Sequence, residues 1–304
     1  MKPLPPDYPP VPSLDFAKIV RLGFYPAALA LTLLFIGHSA TTRDTPVGQG
    51  YPIYLLAMIG VMLVLERKFP LRQEWGMTRR TFWHRDVPMM AINGAAIAGT
   101  VALVTWAAGY WVSAHGAPRL GWPWWVEAAL AILVSDFIWY WVHRHSHEGR
   151  GRLGRWLWLT HVHHHLPEQV YVLMHAVAHP FNSIYVRLIL MVPPIALGLS
   201  QEAIFAASVL TAFQGLVSHF NVDIRAGWLN RVFIGTELHR YHHSADPAEG
   251  KNYAAVISLW DQLFGTFEYK PDGPPAALGV ADRARYPADD GWTALMLLPL
   301  LRRY

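Results

Sequence analysis

Thirteen of the 16 histidines in this 304-residue chain fall between His143 and His243. Three groups of them have helical spacing. "HRHSH" supplies His143 and His147 at i and i+4. "HVHHH" supplies His161, His164 and His165 at i, i+3 and i+4, and "HRYHH" repeats that spacing with His239, His242 and His243. Residues three and four apart share one helix face, so each group can aim two or three imidazoles at one point. Neutral imidazole suits iron, zinc, copper and nickel. Together these groups offer more nitrogens than one ion can use, which makes two neighbouring metals the economical reading. A single triplet can arise by chance; two identical ones beside an i, i+4 pair are far rarer. His38, His84 and His115 stand alone and read as hydrogen-bonded or interfacial groups.

The chemistry narrows further by what accompanies the histidines. Cysteine is absent, which excludes disulfides and thiolate metal sites. No H-E-x-x-H motif of a zinc hydrolase occurs. An all-imidazole site at the edge of a hydrocarbon-lined bundle favours dioxygen activation by iron on an apolar substrate arriving from the lipid.

The elements that must hold these residues read as membrane helices. The chain is 53% hydrophobic and only 15% charged, against about 25% charged in soluble domains. A crossing takes roughly 20 mainly apolar residues, and four segments are candidates: 20–38, 52–65 with its flanks, 87–112 and 122–142. Residues 181–218 are apolar again but broken by Pro193 and Pro194, which suggests a helical hairpin. The expected fold is all-α: a bundle of about four spans plus that hairpin, capped by histidine-rich helices. It forms a single domain over 1–304, with N-terminal spans in 1–121, the histidine region in 122–268 and a tail in 269–304. The start, rich in proline, reads as an irregular arm, and "WTALMLLPLLRRY" at 292–304 as an interfacial segment.

Positive charge sets the expected orientation. The connection 66–86 carries Arg67, Lys68, Arg72, Arg79, Arg80 and Arg85, whereas 39–51 and 113–121 carry only Arg43 and Arg119. The first connection therefore faces the cytoplasm, as do the N-terminus, with Lys2, Lys18 and Arg21, and the histidine site. The net charge of +4 is too scattered to argue for nucleic acid.

These motifs resemble the fatty acid hydroxylase/sterol desaturase family of integral-membrane di-iron oxygenases. Asp136 followed by "YWVHRHSH" (140–147) is similar to its first histidine box, and "WLTHVHHH" (158–165) to its second. His179-Pro180, His219-Phe220-Asn221 and His239–His243 resemble its later motifs, and "KNYAAVISLWDQLFGTF" (251–267) its closing segment. The resemblance runs from about residue 125 to 268. It implies that His143, His147, His161, His164, His165, His239, His242 and His243 are metal ligands, with His179 and His219 as further ones. Asp136, seven residues before His143, would orient a metal-bound imidazole; Asp261 would do likewise or cap a helix. The sequence departs from the family pattern at His163 and His175, read as supporting or surface groups. It departs again at Val177, where the family commonly has arginine.

The expected function is hydroxylation of a C–H bond of a lipid, an acyl chain in the first instance, using two iron ions and molecular oxygen. No flavin, nicotinamide or haem motif is visible. An external ferredoxin- or cytochrome-type donor with its reductase is therefore implied. Alternatives are desaturation or hydroxylation of a sterol or carotenoid ring, ether-lipid cleavage, and a non-catalytic metal-handling membrane protein.

Overall fold

The computed structural model describes residues 14–42, 46–271 and 273–300. The N-terminal arm before residue 14, Lys2, Arg43 and the last four residues lie outside them. Among the described residues every regular element is helical. Three stretches of the described residues are long and apolar enough to cross a membrane: Phe16–Thr41 within α1 (Leu14–Thr41), Gln73–His115, and α5 (Trp124–Glu148). The second joins α3 (Arg79–Thr81) through a π turn at Phe82–Asp86 to α4 (Val87–His115). The expected span near 52–65 is helix α2 (Tyr51–Lys68), but it has only 18 residues, and Glu66, Arg67 and Lys68 fill its last turn. Its apolar part is shorter than a crossing takes, so three spans rather than four satisfy length and composition.

These helices turn apolar side chains outward. Ile53 is 76% exposed, Leu34 71% and Trp106 68%, a distribution that suits a lipid solvent and would be costly in water. Tyr110, Trp111, Trp122 and Trp125 are exposed where α4 ends and α5 begins, the position of an interfacial aromatic belt.

The hairpin expected over 181–218 is formed by α7 (Pro180–Ala196) and α8 (Gln201–Ser218). Pro193 and Pro194 sit in the last turn of α7, and Gly198 (φ +71°) turns the chain. Glu127, in the first turn of α5, accepts the N–H of Ser200 (2.7 Å) and of Trp122 (3.1 Å) and fixes the hairpin tip. The two arms diverge: α7 packs mainly on α4 and α5, and α8 on α5 and α1.

At the opposite end α5 reverses into α6 (Gly151–His165). Gly151 has φ +77°, and a Cβ on Gly154 would meet the Gly149 backbone at 2.4 Å, so the reversal needs glycine. Helix α9 (Thr236–His242) follows α8 and α10 (Leu259–Leu263) lies in the closing segment. The connection after α2 shares this end of the bundle. Glu66 accepts the N–H groups of Val172 and Asn221 (both 2.9 Å), and Asn221 Nδ2 donates to the Arg72 carbonyl (2.9 Å).

The tail is more than a polar loop. Leu295 in α11 (Trp292–Leu297) and Leu298 are buried against Leu159, Val162 and Leu166 around the end of α6. Asp289 pairs with the buried Arg85, and Asp290 with Arg80 at 2.9 Å. The expected interfacial segment is thus, over residues 292–300, a clasp on the histidine helix.

Candidate metal centre

Nine histidines converge in two groups. His143, His147, His161, His165 and His242 form one; His164, His219, His239 and His243 form the other. Within each group the candidate ligand nitrogens all lie within 4.8 Å of one another. The triplets do not each serve one point, as their spacing suggested. On α6, His161 and His165 turn to the first group and His164 to the second; around α9, His242 turns to the first, and His239 and His243 to the second. A step of one residue rotates a side chain by about 100°, so one helix can face two sites. His165 of the first group stands 4.5 Å from His243 of the second between ring centres, and His242 stands 5.1 Å from His239, which places the two groups side by side.

The hydrogen bonds fix the protonation of these rings. His143 Nδ1 donates to the Tyr253 carbonyl (2.6 Å), since a carbonyl only accepts. His161 Nδ1 faces Asn182 Oδ1 (3.1 Å), which also accepts the Tyr185 hydroxyl (2.6 Å). Both Nε2 atoms therefore carry bare lone pairs, yet they lie 2.9 Å apart. In the second group His164 Nδ1 donates to Val177 O (3.0 Å) and His219 Nδ1 to Gly215 O (2.8 Å), and their Nε2 atoms are again 2.9 Å apart. Lone pairs at that distance repel unless a cation lies between them. His242 Nδ1 donates to Lys251 O (2.9 Å), while its Nε2 and that of His147 are buried with no hydrogen-bond partner. Burial pushes His164 down to about 4 and His242 to about 3, although a carbonyl hydrogen bond to each ring works the other way. Neutral, buried, convergent imidazoles are the donor set that a divalent transition metal requires.

Two predicted roles are corrected. His179 joins neither group: it caps α7 by accepting the Phe181 N–H at Nδ1 (3.1 Å), and its Nε2 faces the Met296 carbonyl (3.2 Å). Nδ1 is engaged because α7 starts at Pro180, and Nε2 because the tail packs beside it. Asp136 does not touch His143. Its carboxylate accepts the backbone N–H groups of Ala255 (2.8 Å), Val256 (3.2 Å) and Ile257 (3.0 Å). Asp261 likewise accepts those of Tyr253 (2.7 Å) and Ala254 (2.9 Å), and the Thr266 hydroxyl (2.6 Å). The two carboxylates therefore grip residues 253–257, and the Tyr253 carbonyl within that strip orients His143. Asp136 acts on the ring through the backbone.

Other residues acquire roles that spacing did not reveal. Asn182 and Tyr185 hold His161, and i, i+3 spacing on α7 was the available signal. Val177 holds His164 through its carbonyl, a contact indifferent to the side chain at that position. His163 is buried with both nitrogens unpartnered, near His179 (5.4 Å between rings). His175 is exposed at the cavity wall, beside His219 (5.2 Å between rings). His38, His84 and His115 lie in neither group.

Above the histidines lies a cavity of about 420 Å³ between α4, α5, α7 and α8. Ile97, Trp139, Ile189 and Leu190 are among its walls, and His143, His161, His164 and His239 border it. Its size and apolar lining suit one lipid segment. A larger cleft, of about 970 Å³, opens at the far end between Trp111, Trp122 and Val192, with no histidine in its lining.

Comparison with known proteins agrees with this geometry. Residues 128–266 match the family model described as fatty acid hydroxylase. The chain is 28% identical to the ornithine lipid hydroxylase OlsE of Rhizobium tropici over 83% of this chain and 76% of that protein. It is 31% identical to the alkylglycerol monooxygenase of Danio rerio, over 50% of this chain but only 32% of that protein. No solved structure matches.

Proposed function

From a chain that carries a fatty acid hydroxylase domain over residues 128–266, we propose a membrane lipid hydroxylase that uses two iron ions, molecular oxygen and electrons from a separate ferredoxin- or cytochrome-type donor. The observation that carries the reading is the pair of facing imidazole groups on one wall of an apolar cavity. Iron held by these rings would supply the oxidising chemistry, activation of dioxygen for insertion of one oxygen atom into a C–H bond. His143, His147, His161, His165 and His242 would hold one ion, and His164, His219, His239 and His243 the other.

The remaining work belongs to the chain itself. The carbonyls of Tyr253, Val177, Gly215 and Lys251 fix His143, His164, His219 and His242 in the tautomer that presents Nε2. The apolar walls desolvate an alkyl chain and exclude water. Trp139, stacked on His143 at 4.6 Å, lines the cavity beside that ring. The arginine-rich end of the bundle, carrying both the 66–86 connection and the histidines, is assigned to the cytoplasm, where a donor can dock. Relatives named for ornithine lipid and alkylglycerol support an amphiphilic lipid substrate with an acyl or alkyl chain. A metal conduit would need ligands continuing along the spans; Ile97, Ile189 and Leu190 occupy that path instead.

The test combines metal analysis with lipid mass spectrometry. Purified protein should hold about two irons per chain. Cells expressing it should accumulate a lipid heavier by one oxygen atom, dependent on oxygen. Another metal at full occupancy, or no such lipid, overturns the reading.

A further inference from the structure

The cavity wall contains one Lys or Arg side chain, a charge that an alkyl chain does not need. Arg187 lines it from the middle of α7, on the stripe Ser183, Val186, Arg187 and Leu190, which repeats at i, i+3, i+4 and i+7. Its Nε is buried with no hydrogen-bond partner. No carboxylate among the described residues lies within ion-pair distance of it, and the one electrostatic neighbour is the Tyr51 phenol. Arg187 lies about 10 Å from one end of α7 and about 13 Å from the other, at 1.5 Å per residue. That is too deep for its head to snorkel readily to either end. A guanidinium stays charged, and an uncompensated charge in an apolar membrane site is costly, so such residues mark sites where something binds.

Resting on the hydroxylase reading, we propose that Arg187 binds the oxyanion of the substrate lipid, a carboxylate or a phosphate, inside the cavity. The planar guanidinium offers two parallel N–H groups to either anion. Asn182, five residues earlier on α7, holds His161, so Arg187 stands about 7 Å further along the helix than the metal site. A lipid fixed there by its anion presents a carbon at a set distance from its charged end to the histidines. Arg187 thereby selects charged amphiphiles over neutral ones and sets the position that reacts.

The test is a binding measurement that needs no turnover. Protein in nanodiscs is loaded with stearic acid spin-labelled near its methyl end, and the immobilised fraction is followed as palmitate, hexadecyl phosphate or methyl palmitate is added. Palmitate or hexadecyl phosphate should displace the probe at about tenfold lower concentration than the ester. The more potent of the two identifies the anion. Arg187→Met should reduce the preference over the ester to within about twofold, and Arg187→Lys should keep most of it. Equal potency of acid, phosphate and ester on the unaltered protein overturns the proposal even if a variant fails to fold. So does an undiminished preference in Arg187→Met. Oxygen-dependent product is scored separately. Its absence with the anion preference intact counts against the hydroxylase reading alone, and its presence with no anion preference counts against Arg187 alone.

Discussion

Removing an imidazole from either group takes away a nitrogen that faces other lone pairs, whereas removing His179 takes away a helix cap. The variants His161→Ala, His164→Ala, His165→Ala, His239→Ala, His242→Ala and His243→Ala should each lose bound iron and turnover. His179→Ala should retain iron and lose about 1 kcal/mol of stability, the usual worth of a cap. Iron content and thermal unfolding, measured on the same preparations, separate the two classes; normal iron in two of the six would refute the ligand assignment. A second consequence concerns pH. His164 and His242 lie near 4 and 3 in the folded protein, against 6.5 for a free ring. The unfolded chain therefore binds more protons below about 6.5. Stability of metal-free protein should be fully present above that value and should fall as pH drops through 6.5 towards 4. A flat unfolding profile across that window would contradict the buried neutral rings. At this scale the histidines that converge, and their spacings, were legible in the sequence. Their partners were mostly not, because carbonyls such as those of Val177 and Tyr253 carry no residue identity.

Among the elements, the strip 253–257 matters as much as any helix. Asp136→Asn keeps the shape but leaves only one carboxamide oxygen for three backbone N–H groups, so the strip and the Tyr253 carbonyl should loosen. Outer contacts of this kind are worth roughly 10–100-fold in metal affinity or activity. The variant should fold, retain iron weakly and show faster amide exchange at 255–257; unchanged exchange would mean that the carboxylate is dispensable there. The sequence pointed to Asp136 as a supporting group because a membrane helix does not leave a carboxylate unpaired. It pointed to the wrong partner because helical spacing says nothing about a loop more than a hundred residues away. Helix α8 carries a second constraint. A Cβ on Gly215 would lie 2.3 Å from the His175 ring, so Gly215→Ala must push His175 or the helix aside. A cost of about 1–3 kcal/mol is expected, with weakened iron binding because the Gly215 carbonyl holds His219. An alanine variant with unchanged melting and iron would show that the ring has free space.

For the whole molecule, the arginines of 66–86 and the histidine helices share one end of the bundle, while Arg119 lies at the other. Cysteines introduced singly at 80 and 150 should react with an impermeant reagent only from the cytoplasm, and one at 119 only from outside. The absence of native cysteine removes any background. Reaction at 150 from outside would reverse the orientation and remove the rationale for a cytoplasmic donor. The helical class and the hairpin were readable from apolar runs and paired prolines. The clasp of Leu295 and Leu298 on α6 was not, since a short apolar segment reads equally as interface or as core until its neighbour is known.

The strip gripped by Asp136 and Asp261 also imposes an order in time. His143, His161 and His164 are synthesised well before Lys251 and Tyr253, whose carbonyls set the tautomers of His242 and His143. A nascent chain that has made every histidine but has not yet delivered residues 251–257 has its ligands without the groups that orient them. Metal capture therefore belongs after the strip has docked, and a ribosome stalled so that His243 but not residues 251–257 has left the exit tunnel should carry a chain that binds iron poorly, while one stalled late enough to release Asp261 should bind it well.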